Sequence, residues 1–178
     1  MTNKNNLEVL IQTKDLVHAL SFASSVVEKR NVLSELSNIK LVVKNGIVEI
    51  GATDMELYLK QDIGAEVISE GETTVSTQTI SDIVRKIPDT EIRLKQLAEA
   101  DKLEITGKNC RFELLTLPAI QFPAMEDIDS EVNLSVLCEE FARIVEYTNF
   151  AMSNEETRYN LNGIYMHVNE KKFCAVAT

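Results

Sequence analysis

Residues 14–53 read KDLVHALSFASSVVEKRNVLSELSNIKLVVKNGIVEIGAT, and residues 139–178 read EEFARIVEYTNFAMSNEETRYNLNGIYMHVNEKKFCAVAT. Laid over each other without a gap, 125 positions apart, they match at Leu36/Leu161, Ile39/Ile164, Val43/Val168, Ala52/Ala177 and Thr53/Thr178. Each reads as an amphipathic helix, a polar loop and two alternating strands. In the first copy Leu16, Ala19, Leu20, Ala23 and Val27 recur at helical spacing, opposite Lys14, His18, Ser21 and Ser25. Thr13 is placed to cap that helix, with Asp15 in its first turn. Ile39, Leu41 and Val43 then alternate, Asn45-Gly46 supplies a hairpin turn, and Val48 and Ile50 alternate back. A unit that occurs twice predicts tandem domains. After Thr53 the first copy continues with Asp54 and another strand, whereas the second stops, so the chain is expected to be the front part of a longer one.

Working outward, Leu7–Gln12 alternates as a short strand, and further strands are expected near 55–60, 63–68 and 73–76. A second helix, capped by Ser76 or Thr77 and ended by Pro88, carries Ile80, Ile83, Val84 and Ile87. Strands follow at 91–97, 102–106 and 111–117, the last two joined through Gly107-Lys108-Asn109. Residues 1–117 thus give a first domain of about eight strands and two helices. Hairpin connections imply antiparallel sheets with the helices on one side, an α+β fold. The proline-bearing, partly acidic stretch 118–130 reads as an interdomain linker. Residues 131–178, opening with a strand at 131–136, form an incomplete second domain. With so little sheet to cover its apolar face, that domain is expected to be the less stable.

The 178 residues (20.0 kDa, 44% hydrophobic) can bury a core, but no apolar run reaches the length of about 18 residues that suggests a membrane span. The start, MTNKNNLEVL, has no signal-peptide pattern. Cys110, Cys138 and Cys174 are odd in number and share no short spacing, which argues against a disulfide framework or zinc site and for the reducing cytoplasm. The net charge of −10 argues against general nucleic-acid binding unless cations are gathered on one face.

No catalytic constellation emerges. His18 sits on a helix face, and His167, alternating with Met166 and Val168 on a strand, is expected to point to solvent; neither has a ligand partner at metal spacing. Asp54 and Glu56 could share a strand face as a metal site, but a turn is the better reading of Thr53-Asp54-Met55-Glu56. Residues 105–109, ITGKN, lack the first glycine and the Lys-Ser/Thr pair of a phosphate loop. No metal and no cofactor is implied. What remains is a distribution of cations: Lys14, Lys29 and Arg30 flank the first helix, Arg85 and Lys86 end the second, Arg143 lies on the third, and Arg158 with Tyr159 follows it. Equivalent helices of tandem domains could line one surface and present these charges to phosphates without reading sequence.

GATDMEL (51–57), DIVRKIP (82–88), RFELLTLPAIQFP (111–123) and RYNLNGI (158–164) leading to AVAT (175–178) together resemble the N-terminal part of the bacterial sliding clamps, the beta subunits of DNA polymerase III. The resemblance implies the DNA-clamp fold, with two helices per domain and three similar domains per chain. Two such chains would close head-to-tail as a homodimer ring around duplex DNA, with helices lining the hole and sheets outside. Processivity then comes from topology and raised effective concentration, not catalysis.

By match to family positions, the DNA-contact candidates are Arg30, Arg158 and Tyr159. Asn160 stands where a second tyrosine is common, and Glu155 and Glu156 would repel phosphate unless turned away. Leu161 and Thr178 match two rim positions of the pocket that receives peptide tails of the replicative polymerase and clamp loader. Lys108 and Arg111, near the start of an edge strand at 111–117, are candidates for the subunit seam. The alternative reading is a protein-interaction module that uses the same α+β unit without touching DNA; an enzyme comes third.

Overall fold

Asn45 and Gly46 sit at φ 51° and 78°, the left-handed pair that a two-residue hairpin turn requires, and join β2 (Asn38–Lys44) to β3 (Ile47–Thr53). The turn sets Val43 opposite Val48 and Leu41 opposite Ile50, so one face of the hairpin carries buried aliphatic side chains only. This computed structural model describes residues 6–27, 34–97, 100–124, 134–169 and 172–178. Their contacts divide the chain into two units, Met1–Glu126 and Asp127–Thr178.

In the first unit β1 (Glu8–Gln12) leads into α1 (Thr13–Val26), then β2, β3, β4 (Tyr58–Gly64) and β5 (Glu66–Ser69). There follow β6 (Gly71–Ser76), α2 (Thr77–Val84), β7 (Glu91–Leu97), β8 (Lys102–Thr106) and β9 (Arg111–Leu117). The nine strands form one antiparallel sheet in the order β4-β3-β2-β6-β9-β8-β7-β1-β5. Its two end strands, β4 and β5, are separated in the chain by Ala65 alone, so the sheet curls back on itself. β1 pairs with β7 and β6 pairs with β2, so each half of the unit lends its first strand to the sheet of the other. The halves also share an internal pattern. Thr13 and Thr77 open the two helices, and Leu16/Ile80 and Leu20/Val84 are buried at matching positions.

The helices follow from their patterning. Leu16, Ala19, Leu20 and Ala23 are buried, whereas Lys14, His18, Ser21 and Ser25 are exposed. Ser76 caps α2 by accepting the Thr79 N–H at 3.4 Å. Thr13, however, does not cap α1. β1 runs into the helix without a loop, Gln12 takes the cap position with no side-chain bond, and the Thr13 Oγ1 is buried without a partner. The Thr13 N–H donates instead to the Thr90 carbonyl at 2.9 Å, which seats the start of α1 beside the chain leaving α2. The two helices meet where Ser24 Oγ and Ser81 Oγ lie 3.4 Å apart.

The strand expected at 55–60 begins only at Tyr58, because the residues before it form a turn. Asp54 Oδ1 accepts the N–H groups of Glu56 at 2.9 Å and Leu57 at 2.6 Å, and Met55 takes φ 80°. The Leu57 N–H is the main reason the Asp54 carboxyl is held below its ordinary range. The two acids of this segment are therefore turn residues.

The second unit holds α3 (Cys138–Asn149) and the antiparallel hairpin of β10 (Tyr165–Asn169) and β11 (Lys172–Val176). None of its described residues is buried. Of the strand expected at 131–136, residues 131–133 lie outside the described residues and 134–136 form no strand. His167 does not point freely to solvent. It faces Cys174 across the hairpin, half-buried, with Nδ1 enclosed and without a partner.

Candidate nucleic-acid interface

Arg30, like Lys29, lies outside the described residues. The other two DNA-contact candidates share one loop. The Ser153 N–H donates to the Leu161 carbonyl at 3.2 Å and closes it, and the segment Glu156–Leu161 winds as a tight 3-10 turn kinked at Arg158. Tyr159 is thereby thrust outward and is 83% exposed. Arg158 Nε lies 3.4 Å from Glu155 Oε2. Glu155 is thus turned onto Arg158, and the two charges partly neutralise each other.

The cations of the first unit sort by layer. On the strands, Lys40 pairs with Glu72 at 2.9 Å, Lys60 with Glu49 at 2.9 Å and Lys102 with Glu113 at 2.9 Å. Arg93 and Lys95 both pair with Glu8, and Arg111 lies 2.6 Å from Glu104 and 3.3 Å from Glu113. All of these pairs but Arg111–Glu113, which lies within β9, cross between adjacent strands. Glu113 is held below the ordinary carboxylate range chiefly by its hydrogen bond from Lys102, with Arg111 contributing. In the helix layer, by contrast, Lys14 and the residues after α2, Arg85 and Lys86, are exposed and, among the described residues, have no acidic partner. The other cations without an acidic partner among the described residues are Lys44, the last residue of β2, Lys108, in the β8–β9 turn, and Lys172, the first residue of β11. A phosphate approaching the helices would therefore meet charge not already spent on a carboxylate.

Between the start of α1 and the end of α2 lies an open cleft of about 560 Å³. Val17, Val84 and Ile87 are among its lining residues, with Lys14, Arg85 and Asp89 as its charged ones. Spacing gave no notice of this cleft, because its two rims are some 70 positions apart in the chain. Among the described residues no group of His, Cys, Asp or Glu is gathered to hold a metal ion, and no helix is long and apolar enough to cross a membrane.

The seam candidates sit at one end of the β8–β9 hairpin. β9 pairs with β8 along Arg111–Leu115, but with β6 only at Thr116 and Leu117. Among the described residues, Arg111–Leu115 therefore has one unpaired side, where Leu115 is 77% exposed and Phe112 38%. Lys108 is exposed at the turn just before it, and Arg111 is the first residue of the strand. Of the peptide-pocket candidates, Leu161 is half-buried at the end of the kinked turn and Thr178 is exposed beyond β11.

A curled antiparallel sheet backed by two helices, with Lys14, Arg85 and Lys86 unpaired in the helix layer among the described residues, defines a clamp-type scaffold. The chain belongs to the family of the DNA polymerase III beta subunit: residues 7–126 match the model of its N-terminal domain and 135–178 that of its central domain. The beta sliding clamp of Rickettsia bellii is 57% identical over 172 residues, covering 97% of this chain and 45% of the relative. A crystal structure of the DNA polymerase sliding clamp from Caulobacter crescentus superposes with a TM-score of 0.89 at 35% identity, covering 97% of this chain and 48% of the other. The sliding clamp of Bacillus subtilis retains the fold at only 21% identity, with a TM-score of 0.91. The chain spans about half the length of the curated relatives it matches. No match supports the alternative of an interaction module that leaves DNA alone.

Proposed function

We propose that this chain is the first part of a cytoplasmic sliding clamp, a non-catalytic subunit that encircles duplex DNA as a homodimer and holds the replicative polymerase to its template. The observation that carries the reading is the division of charge between layers. Lys40, Lys60, Arg93, Lys95, Lys102 and Arg111 of the first unit's strands are paired with carboxylates on adjacent strands, while Lys14, Arg85 and Lys86 of its helix layer stay open to phosphate. That division explains how a chain of net charge −10 can meet DNA on one face and repel it on the other. Contacts to phosphate alone fix no register on the duplex, which is what sliding requires.

Within this reading residues 1–117 and 131–178 are successive clamp domains joined through 118–130. Arg30, Arg158 and Tyr159 meet DNA. Leu161 and Thr178 belong to the rim of the pocket for polymerase and clamp-loader peptides. Lys108, Arg111 and the open side of β9 form the subunit seam, where strand addition would satisfy the unpaired N–H and C=O groups. The function is tested by primer extension on a primed circular template with polymerase and clamp loader. Adding the protein at the length of its relatives is expected to lengthen the products of single binding events. Product lengths that do not change would overturn it.

A further inference from the structure

Asp89 leaves the end of α2 and reaches across to the β8–β9 turn, nineteen positions further along the chain. Its Oδ2 accepts the backbone N–H of Lys108 at 2.9 Å, a bond strengthened by the charge of the acceptor. The turn is closed a second time by the Gly107 N–H, which donates to the Cys110 carbonyl at 3.0 Å. Gly107 does not adopt a left-handed conformation, so its backbone does not demand glycine. A Cβ there would lie 2.2 Å from Asp89 Oδ2 and 2.9 Å from Cys110 Sγ, so these side-chain ends would have to move. The carboxylate and the turn are therefore packed against each other, and a side chain at 107 could fit only by pushing Asp89 off the Lys108 N–H.

What this contact holds is the approach to Arg111–Leu115, the side of β9 that is unpaired among the described residues. An edge that must add a strand binds best when its extended geometry is fixed beforehand, since ordering a loose turn at the moment of association costs conformational entropy. Lys108 and Arg111, the two charged seam candidates, lie on this turn and at the first position after it. We propose that Asp89 is the positioning residue of the subunit seam: by holding the Gly107–Cys110 turn it presents the open edge of β9, with Lys108 and Arg111, to the partner copy. The proposal rests on the seam reading given above.

The test is the dimer dissociation constant of the protein at the length of its relatives, measured by sedimentation on dilution, together with hydrogen exchange of the Lys108 amide. Asp89→Ala is expected to weaken the dimer about tenfold and to speed that exchange, the scale of one charge-assisted bond. Asp89→Asn, which keeps an acceptor oxygen but loses its charge, should weaken the dimer less, by about threefold. Gly107→Ala should reproduce the Asp89→Ala defect, and the double variant should be little worse than either, because both remove the same contact. A wild-type protein that dimerises while Asp89→Ala dimerises equally well, with its Lys108 amide exchanging faster, would overturn this proposal alone. A wild-type protein that never dimerises would overturn the seam reading and the proposal with it.

Discussion

Leu16 and Phe141 hold the same place in the 125-residue repeat, yet Leu16 is wholly buried while Phe141 is 42% exposed. The helix of the first copy is covered by α2 and by strands β1, β3 and β4, whereas α3 packs on β11. One helix pattern thus meets two different amounts of cover.

Truncation at the two sites should therefore differ. Leu16→Ala is expected to destabilise the first unit by about 2–5 kcal/mol, the range for a buried leucine whose cavity cannot collapse. Phe141→Ala should cost less than about 1 kcal/mol in this chain, as at an open surface. Urea denaturation followed by circular dichroism separates the two, and equal losses would show that α3 is covered as fully as α1.

The layer division of charge gives a second expectation. Replacing Arg85 and Lys86 by alanine should lower the slope of log affinity for duplex DNA against log salt by about 1 per phosphate contact removed. Replacing Lys40 and Lys60, which are already paired with Glu72 and Glu49, should leave the slope as it was. A larger change from the strand pair would place DNA on the sheet side.

In the 153–161 loop, Arg158→Ala removes a cation and also releases Glu155 from its ion pair. DNA affinity should fall by no more than for loss of a single unpaired lysine, and adding Glu155→Ala should recover part of it. Tyr159→Ala should weaken binding without moving the melting temperature, since the ring stands free of the fold. Fluorescence anisotropy with a labelled duplex at low salt reads all three variants. Full affinity in both single variants would take the loop off the interface.

Acid should loosen the turn before β4. The N–H groups of Leu57 and Glu56 hold the Asp54 carboxyl below its ordinary range, so its folded value lies below its unfolded one. Its contribution is then complete above the unfolded value of about 3.9 and is lost as pH falls through the folded value. Glu113, lowered mainly by Lys102, follows the same sign. Urea midpoints taken from pH 7 down to about pH 3 should fall less steeply for Asp54→Ala than for wild type. Superimposable curves would mean that the turn makes no acid-sensitive contribution.

Much of the fold was legible because its signals are local. Asn45-Gly46 specified a hairpin, the spacing of Leu16, Ala19, Leu20 and Ala23 specified a buried helix face, and the alternation at 91–97, 102–106 and 111–117 gave strands with those bounds. What was missed depends on distant pairing. Nothing in the order of residues says that β1 will pair with β7, or that β4 and β5 will close opposite ends of one sheet. Thr13 looked like a cap because a hydroxyl before an apolar run usually is one, but here the packed start of the helix claims it for the interior. The cations of the candidate interface could be named from the sequence. Which of them carboxylates neutralise could not, because Lys40 and Glu72 become neighbours only when β2 lies beside β6. Asp89 was invisible for the same reason, its partner being a backbone N–H in a different hairpin.

Topology is the central claim, and retention on DNA measures it most directly. The protein at the length of its relatives, loaded onto nicked circular duplex and passed through a sizing column, is expected to stay with the circle and to leave when the DNA is cut once to a linear form. Equal retention on circular and linear DNA of the same length would contradict encirclement.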